Sequence, residues 1–149
     1  MTVQRTLVLC KPDAVQRGYV GRILTRLERK GLKIVGLKMV KVNEALAARH
    51  YEEHVDKPFY PELRDFVTSS PVMAIAVEGR NAIEVVRDLM GVTNPQKAAA
   101  GTIRGDFGLN LTMNLVHGSD SQASAKREIA LFFSEEELYD YDLTIAAWT

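Results

Sequence analysis

The chain has 149 residues, of which 46% are hydrophobic and 26% are charged. This length fits one domain, and the composition is typical of a globular protein rather than a disordered or fibrous one. The 19 basic and 19 acidic side chains give a formal net charge of +0. That balance argues against a protein that coats nucleic acid, because such proteins carry a basic excess that neutralises phosphates.

The charge is nevertheless unevenly distributed along the chain. Residues 1–50 hold 11 basic against 3 acidic side chains, residues 51–100 hold 5 against 8, and residues 101–149 hold 3 against 8. This segregation predicts a basic surface, but its position depends on the fold.

The single cysteine, Cys10, excludes an internal disulfide framework and a multi-cysteine zinc site, and it favours a reducing compartment. The first residues lack the charged-then-apolar layout of a signal peptide. No apolar run approaches the roughly 20 residues that a membrane span needs. We therefore expect a cytoplasmic protein with no membrane partner.

Apolar, β-biased runs predict four strands, over 6–10, 33–42, 72–77 and 113–116. Helical periodicity and capping residues predict helices over 20–31, 44–54, 81–90 and 124–133, with a further short helix beginning near Pro61. Asn43 and Asn81 are expected to be N-caps, and Gly31 a helix stop. The segment 91–108 is irregular, which in a compact domain favours a functional loop.

This order of elements predicts an α+β fold. The two halves both have a strand-helix-strand pattern, so we expect a single ferredoxin-like domain over 1–149, with a four-stranded antiparallel sheet and helices on one face. An RNA-binding ferredoxin-like module would need stacking aromatic residues on its central strands, and the runs 72–77 and 113–116 carry none.

Three histidines are the first candidates for chemistry. His50 and His54 are four residues apart, which is the spacing of a two-histidine metal pair, although Tyr51 stands where H-E-x-x-H requires Glu. His117 follows an apolar run and precedes Gly118, so its ring is expected at a strand tip that a ligand can approach.

A nucleophilic histidine needs one ring nitrogen held by an acceptor and the other free. Glu128, on the following helix, is a candidate acceptor, and Ser119 is a candidate to steady it. From spacing alone, a half-buried structural His117 and a solvated Glu128 carboxylate remain open alternatives.

No phosphate-binding loop of the G-x-x-x-x-G-K-[ST] or G-x-G-x-x-G type is present. The cationic candidates for phosphate contact are Lys11 at the first strand end, Arg87 in a helix and Arg104 in the irregular loop. Each one alone would more often be a solvated surface charge.

The sequence around His117, Asn-Leu-Val-His-Gly-Ser-Asp-Ser over 114–121, resembles the active-site signature of nucleoside diphosphate kinases. The resemblance extends over nearly the whole chain, because further matching segments stand in the family order: TLVLCKPDAV at 6–15, KPFY at 57–60, TNP at 93–95 and GTIRGDF at 101–107. Ser70, Ala100, Met113 and Phe132 depart from residues that are common in the family.

The resemblance implies a phosphotransferase that moves the terminal phosphate of a nucleoside triphosphate, typically ATP, to a nucleoside diphosphate by a ping-pong mechanism. His117 would accept the phosphate, Glu128 would orient its ring, Ser119 would support Glu128 and Tyr51 would sit near the ring. The implied nucleotide contacts are Lys11, Arg87, Thr93 and Arg104 for the phosphates, Asn114 for the sugar, and Phe59, Leu63 and Leu111 for the base. Asp120 would lie near the site without an assigned step.

The resemblance also implies Mg²⁺ carried in on the nucleotide phosphates rather than held by a protein cage of carboxylates. It implies a homo-hexamer, with a homo-tetramer as the alternative, and no specific nucleic-acid partner. An inactive family member that acts only as a scaffold is a rival interpretation, which the presence of His117, Lys11, Arg104 and Glu128 argues against.

Overall fold

The computed structural model describes residues 2–149. The strands are β1 (Val3–Cys10), β2 (Lys33–Val40), β3 (Val72–Arg80) and β4 (Val116–Gly118). The α-helices are α1 (Pro12–Gln16), α2 (Val20–Arg29), α3 (Glu44–His50), α4 (Tyr60–Thr68), α5 (Ala82–Met90), α6 (Ile103–Phe107) and α7 (Gln122–Phe132). The tail adds two 3₁₀ turns, at Glu135–Glu137 and Ala146–Trp148.

The four strands form one antiparallel sheet in the order β2-β3-β1-β4. β1 lies in the middle, pairing with β3 along its whole length and with β4 through Val8, Leu9 and Cys10. The crossovers β1-α2-β2 and β3-α5-β4 produce this order, which is the ferredoxin-like arrangement that the sequence predicts.

The structure corrects the expectation that helices lie on one face. Leu7 and Leu9 of β1 pack into a core with α3, α4 and α7, whereas Val8 and Cys10 pack into a second core with α2 and α5. A strand buried on both faces has a continuous apolar run instead of an alternating one, which is the pattern of residues 7–10.

Several helices and strands begin or end at residues other than the predicted ones. α3 ends at His50 rather than near His54, β4 begins at Val116 rather than at 113, and the short helices α1 and α6 were not predicted. Asn43 is an N-cap as expected, since its side chain accepts a hydrogen bond from the Leu46 amide at 2.8 Å.

Asn81 precedes α5 but does not cap it through its side chain, because its backbone is left-handed, with φ of 56°. The Gln4 side chain accepts the hydrogen bond from the Ile83 amide at 3.2 Å instead. A residue from β1 therefore satisfies a free amide at the start of a helix that is distant in sequence.

Within residues 2–149, no helix is both long and apolar enough to cross a lipid bilayer.

Candidate active site

A cavity of about 290 Å³ lies where the end of β1, β4, α5 and α6 meet α3 and α7. The sequence-predicted site residues that line it are Lys11, His50, Tyr51, His54, Arg87, Thr93, Arg104, Asn114, His117, Asp120 and Glu128. The fold thus brings together side chains from residues 1–50, 51–100 and 101–149, the three segments that differ in charge.

The ring of His117 is held by one carboxylate. His117 Nε2 donates to Glu128 Oε1 at 2.8 Å, and the Ser119 hydroxyl donates to the same oxygen at 2.8 Å. Ser119 is fixed in turn by β1, because it exchanges hydrogen bonds with the backbone of Leu7. With Nε2 engaged as a donor, Nδ1 carries the free lone pair of the neutral ring.

The Glu128 carboxyl is 5% exposed. Burial by itself raises the pKa of Glu128, but hydrogen bonds from His117 and Ser119 and attraction to the two nearby histidine rings outweigh burial, so the pKa falls below its usual value. Glu128 is therefore an anion at neutral pH, which lets it act as a strong acceptor for the His117 ring.

Lys11, Asn114 and Thr93 form a chain of contacts along one wall. Lys11 Nζ donates to Asn114 Oδ1 at 2.7 Å, and Asn114 Nδ2 donates to the Thr93 carbonyl at 3.1 Å. Burial, assisted by repulsion from Arg104, lowers the pKa of Lys11 to about 8.

Arg104 is fixed on α6 by the backbone. Its Nε, Nη1 and Nη2 donate to the carbonyls of Asn114, Gly91 and Val116 at 3.2, 2.9 and 2.7 Å. Burial and the neighbouring Arg87 lower the pKa of Arg104 to about 10, so it stays charged at neutral pH. Since a guanidinium has five N–H groups, two remain free for an anion in the cavity.

Arg87 is more exposed and less restrained, with one hydrogen bond of 3.3 Å from Nη1 to the Gly118 carbonyl. From α5, beside Arg104, it adds an exposed cation to a buried one.

The segment that carries Asn114 and His117 has a strained backbone, and a hydrogen bond to Asp13 holds it in that conformation. Leu115 has a φ of 75°, a left-handed conformation that costs energy for a branched residue. Asp13 Oδ2 accepts from the Leu115 amide at 3.0 Å, and the Lys11 amide donates to the Leu115 carbonyl at 2.8 Å. Burial raises the pKa of Asp13. These contacts tie the segment to the start of α1.

His50 occupies a position that the sequence does not predict. The helical spacing expected for a metal pair of His50 with His54 is lost, because α3 ends at His50, and the His54 ring bonds Lys57 at 3.1 Å. His50 instead packs edge-on against His117, with ring centroids 4.6 Å apart, and both of its ring nitrogens are buried without a hydrogen-bond partner among residues 2–149. Burial lowers the pKa of His50 to about 3, so its ring is neutral.

One ring nitrogen from each of these two histidines and a Glu128 oxygen lie within 4.8 Å of one another, which is a possible ligand set for a metal ion. The same cavity contains Lys11, Arg87 and Arg104. A divalent cation at the histidine rings would be repelled by these charges, so we assign the cavity to an anion.

Tyr51 lies against His50, with ring centroids 4.6 Å apart, rather than directly on His117. Burial raises the pKa of Tyr51, so its phenol remains a neutral hydrogen-bond donor. Four predicted residues lie outside the cavity wall: Ser119 is fully buried, Phe59 and Leu111 are 50% and 57% exposed, and Leu63, on α4, packs against the core.

Asp13 and Arg127 are site residues that sequence reasoning missed. Asp13 stands within a segment that resembles the family, and Arg127 is the neighbour of Glu128 in sequence, so both had a local signal. His50 was a candidate only as the metal partner of His54, and its contact with His117 had no signal in the sequence, because only the fold places α3 beside β4.

A half-exposed imidazole with one free nitrogen, beside three cations and away from any carboxylate cage, is suited to taking up a phosphoryl group. Comparison with known proteins gives the same class. The family model for nucleoside diphosphate kinase matches residues 4–138. A nucleoside diphosphate kinase from Archaeoglobus fulgidus is 56% identical over 146 residues, which cover 98% of this chain and 97% of the relative.

Solved structures agree with the sequence relatives. A halophilic nucleoside diphosphate kinase from Halobacterium salinarum in complex with CDP is 54% identical, with a TM-score of 0.96 over 99% of this chain and 98% of that chain. A transition-state mimic of the enzyme from Borrelia burgdorferi, with bound vanadate and ADP, is 38% identical, with a TM-score of 0.93 over 98% and 96%. The fold, the site and these matches define a phosphotransferase that acts on nucleotides. The chain belongs to the nucleoside diphosphate kinase family.

Proposed function

We propose that His117 carries the transferred phosphate between a nucleoside triphosphate and a nucleoside diphosphate in a ping-pong cycle. The observation that carries this proposal is the hydrogen bond from His117 Nε2 to the buried Glu128 carboxylate. It fixes the tautomer in which Nδ1 has a free lone pair, and the His117 ring shares its cavity with Lys11, Arg87 and Arg104.

In the first half-reaction, the His117 Nδ1 lone pair forms a bond to the terminal phosphorus. The bond from that phosphorus to the bridging oxygen breaks, and its electron pair leaves with the nucleoside diphosphate. The modified ring is cationic, and Glu128 stabilises it through the Nε2 hydrogen bond. In the second half-reaction, a terminal oxygen of the acceptor diphosphate attacks the phosphorus, and the P–N electron pair returns to Nδ1.

Phosphoryl transfer depends on in-line positioning and on neutralising charge at the transferring oxygens. Arg104 would hold the phosphates as a fixed fork, Lys11 as a compact charge and Arg87 as an adjustable one, with Thr93 beside them. Mg²⁺ bound to the nucleotide phosphates would supply further charge neutralisation. The cavity fits such a complex, because its wall is cationic and Asp120 and Glu53 are the exposed carboxylates that would face the ion.

The base would lie outside the cavity, stacked on the exposed ring of Phe59 with apolar contacts from Leu63 and Leu111. Asn114, already a partner of Lys11, would hydrogen-bond a sugar hydroxyl. Stacking on one aromatic face makes few contacts with base edges, so we expect weak selection among bases.

The partner of this chain is proposed to be a further copy of itself, in a homo-hexamer, with a homo-tetramer as the alternative. Support comes from the edge strand β2, where Leu37 and Met39 are 47% and 57% exposed. Exposed apolar side chains on an edge strand favour pairing with another chain. We also propose a cytoplasmic location, in keeping with the single free cysteine, Cys10.

The test is transfer of label from γ-labelled ATP. We expect acid-labile, base-stable label on the wild-type protein, and loss of that label to added GDP. His117→Gln should carry no label, whereas the matched variant His54→Gln should keep it. Label on His117→Gln, with transfer at the wild-type rate, would overturn the proposal.

A further inference from the structure

Arg127 is a charged residue of the cavity wall that the proposed mechanism does not use. It precedes Glu128 on α7, and its guanidinium is held at three points. Nη1 donates to the Arg49 carbonyl at 2.9 Å, Nε pairs with Glu52 at 3.3 Å, and Nη2 lies 3.7 Å from Glu128 Oε2. The guanidinium therefore links the end of α3 to the carboxylate that holds His117.

The two oxygens of Glu128 have different partners. Oε1 accepts from both His117 and Ser119, whereas Oε2 faces Arg127. A carboxylate between a cation on one side and an imidazole on the other divides its attraction between them. Arg127 and His117 therefore share the negative charge of one carboxylate, each facing its own oxygen.

We propose that Arg127 is a positioning residue whose charge, acting through Glu128, keeps the ring of His117 neutral and turned for phosphate uptake. The inference rests on the proposed role of His117 as the phosphate acceptor. A His117 ring with two protons has no lone pair for phosphorus, so an unbalanced Glu128 carboxylate would trap the ring in an inactive form.

Other groups also bear on the charge of this ring, and they must stay constant in any test. The ionisable side chains that share the cavity with His117, Glu128 and Arg127 are Lys11 after β1, His50 and Tyr51 at the end of α3, Glu53 and His54 after it, Arg87 on α5, Arg104 on α6 and Asp120 after β4. Arg127 differs from the other cations in facing the Glu128 carboxylate itself, so a change at Arg127 alone isolates this effect.

Arg127 also has a structural role, since it binds a carbonyl in the last turn of α3, where a cation is favourable. Two substitutions separate the roles. Arg127→Lys keeps the charge and loses the fork, whereas Arg127→Gln loses the charge. Lys126→Gln removes the same charge from an exposed neighbour on α7 and is the matched control.

The experiment measures two quantities in the full-length protein: the pH at which the His117 ring takes its second proton, by ¹⁵N NMR of the imidazole, and the acidic limb of kcat/KM. We expect Arg127→Gln to move both to higher pH by about half a unit, the size of one lost charge at this range. Arg127→Lys and Lys126→Gln should stay at the wild-type midpoint, even if Arg127→Lys melts at a lower temperature.

Equal ring midpoints in wild type and Arg127→Gln, or an equal shift in Arg127→Lys and Arg127→Gln, would overturn the inference. Failure of the proposed function has a different signature. In that case the pH at which the His117 ring takes its second proton shifts in Arg127→Gln, but the acidic limb of kcat/KM does not shift with it. His117→Gln also still takes up label.

Discussion

The ammonium group of Lys11 is buried beside Arg104, and its pKa falls to about 8 because burial penalises the charged form. An anionic ligand would reverse this penalty, since phosphate oxygens favour the protonated amine. Before nucleotide binds, the protein therefore holds a cation at an energetic cost, and that cost is recovered only in the complex.

We expect this cost to be visible in stability. In the unfolded chain Lys11 keeps its proton up to about 10.5, whereas in the folded protein it loses it near 8. The unfolded state binds more protons between these values, so the free energy of unfolding contributed by Lys11 rises with pH across this window. Urea unfolding would measure this at pH 7 and pH 10. The free energy of unfolding of wild type, relative to that of Lys11→Met, should be higher at pH 10 than at pH 7.

The control for this measurement is Lys126→Met, at an exposed site on α7. Its difference from wild type should be the same at both pH values. A Lys11→Met difference that is also independent of pH would contradict the assignment of a lowered pKa to Lys11.

A second residue-scale prediction concerns the charge of Glu128. Glu128→Gln keeps an oxygen that can accept from His117 Nε2 but removes the negative charge that stabilises the cationic phosphorylated ring. We expect kcat to fall by roughly 10- to 100-fold, the usual effect of changing a group that orients a reactive histidine. Steady-state kinetics with ATP and GDP would measure this, and Glu62→Gln on the exposed face of α4 should remain within twofold of wild type.

At this scale the sequence predicted most of the side chains that line the cavity, because residue type limits the chemistry that each can do. The sequence could not predict how burial changes the pKa values of these side chains. The neutral ring of His50 and the lowered pKa of Lys11 both come from the packing of several elements around one point, which no local pattern encodes.

At the scale of elements, α6 is the unpredicted helix with the largest consequence, because it carries Arg104. Thr102 caps it by accepting from the Gly105 amide at 3.0 Å. A Cβ at Gly105 would overlap the carbonyl oxygen of Ala99, a backbone atom that cannot move freely. The glycine therefore allows the loop 91–102 to fold closely onto the helix.

Gly105→Ala is expected to destabilise the protein by about 1–3 kcal/mol, the usual cost of overpacking, and to weaken nucleotide binding by displacing Arg104. The matched variant is Gly21→Ala in α2, where a Cβ would meet nothing within 4 Å. It should gain about 0.5–1 kcal/mol, because alanine favours a helix over glycine. Chemical denaturation and ADP titration of both variants would show whether the two glycines behave in opposite ways.

The predicted element boundaries were wrong where tertiary contacts override the periodicity of the sequence. The apolar run 113–116 resembles a strand, yet Leu115 adopts a left-handed backbone because the Asp13 carboxylate holds its amide. β4 is consequently short, and His117 sits inside it rather than at its tip. The long, regularly patterned elements α2, α5 and α7 were predicted close to their true bounds because their own periodicity defines them.

At the scale of the whole molecule, the zero net charge conceals a concentrated positive site. Lys11 comes from the basic segment 1–50, whereas Arg87 and Arg104 come from the acidic segments 51–100 and 101–149. All three side chains line one cavity. Net charge therefore argued against a nucleic-acid-coating protein but gave no information about a small polyanionic ligand, whose recognition depends on placement.

The edge of the sheet offers the last test. Tyr139 donates its amide to the Val35 carbonyl at 2.8 Å, and the Tyr141 hydroxyl donates to the Ile34 carbonyl, so the tail covers the first half of β2. The half that carries Leu37 and Met39 stays open and apolar, which favours association.

We expect sedimentation equilibrium to give six chains for the wild-type protein, or four in the alternative assembly. Leu37→Lys should dissociate the assembly at concentrations where wild type remains intact, because a charge on an edge strand opposes pairing. Val55→Lys places the same charge on a partly exposed apolar residue outside the sheet and should leave the mass unchanged. A wild-type monomer would contradict the proposed oligomer, and an intact Leu37→Lys assembly would move the interface away from β2.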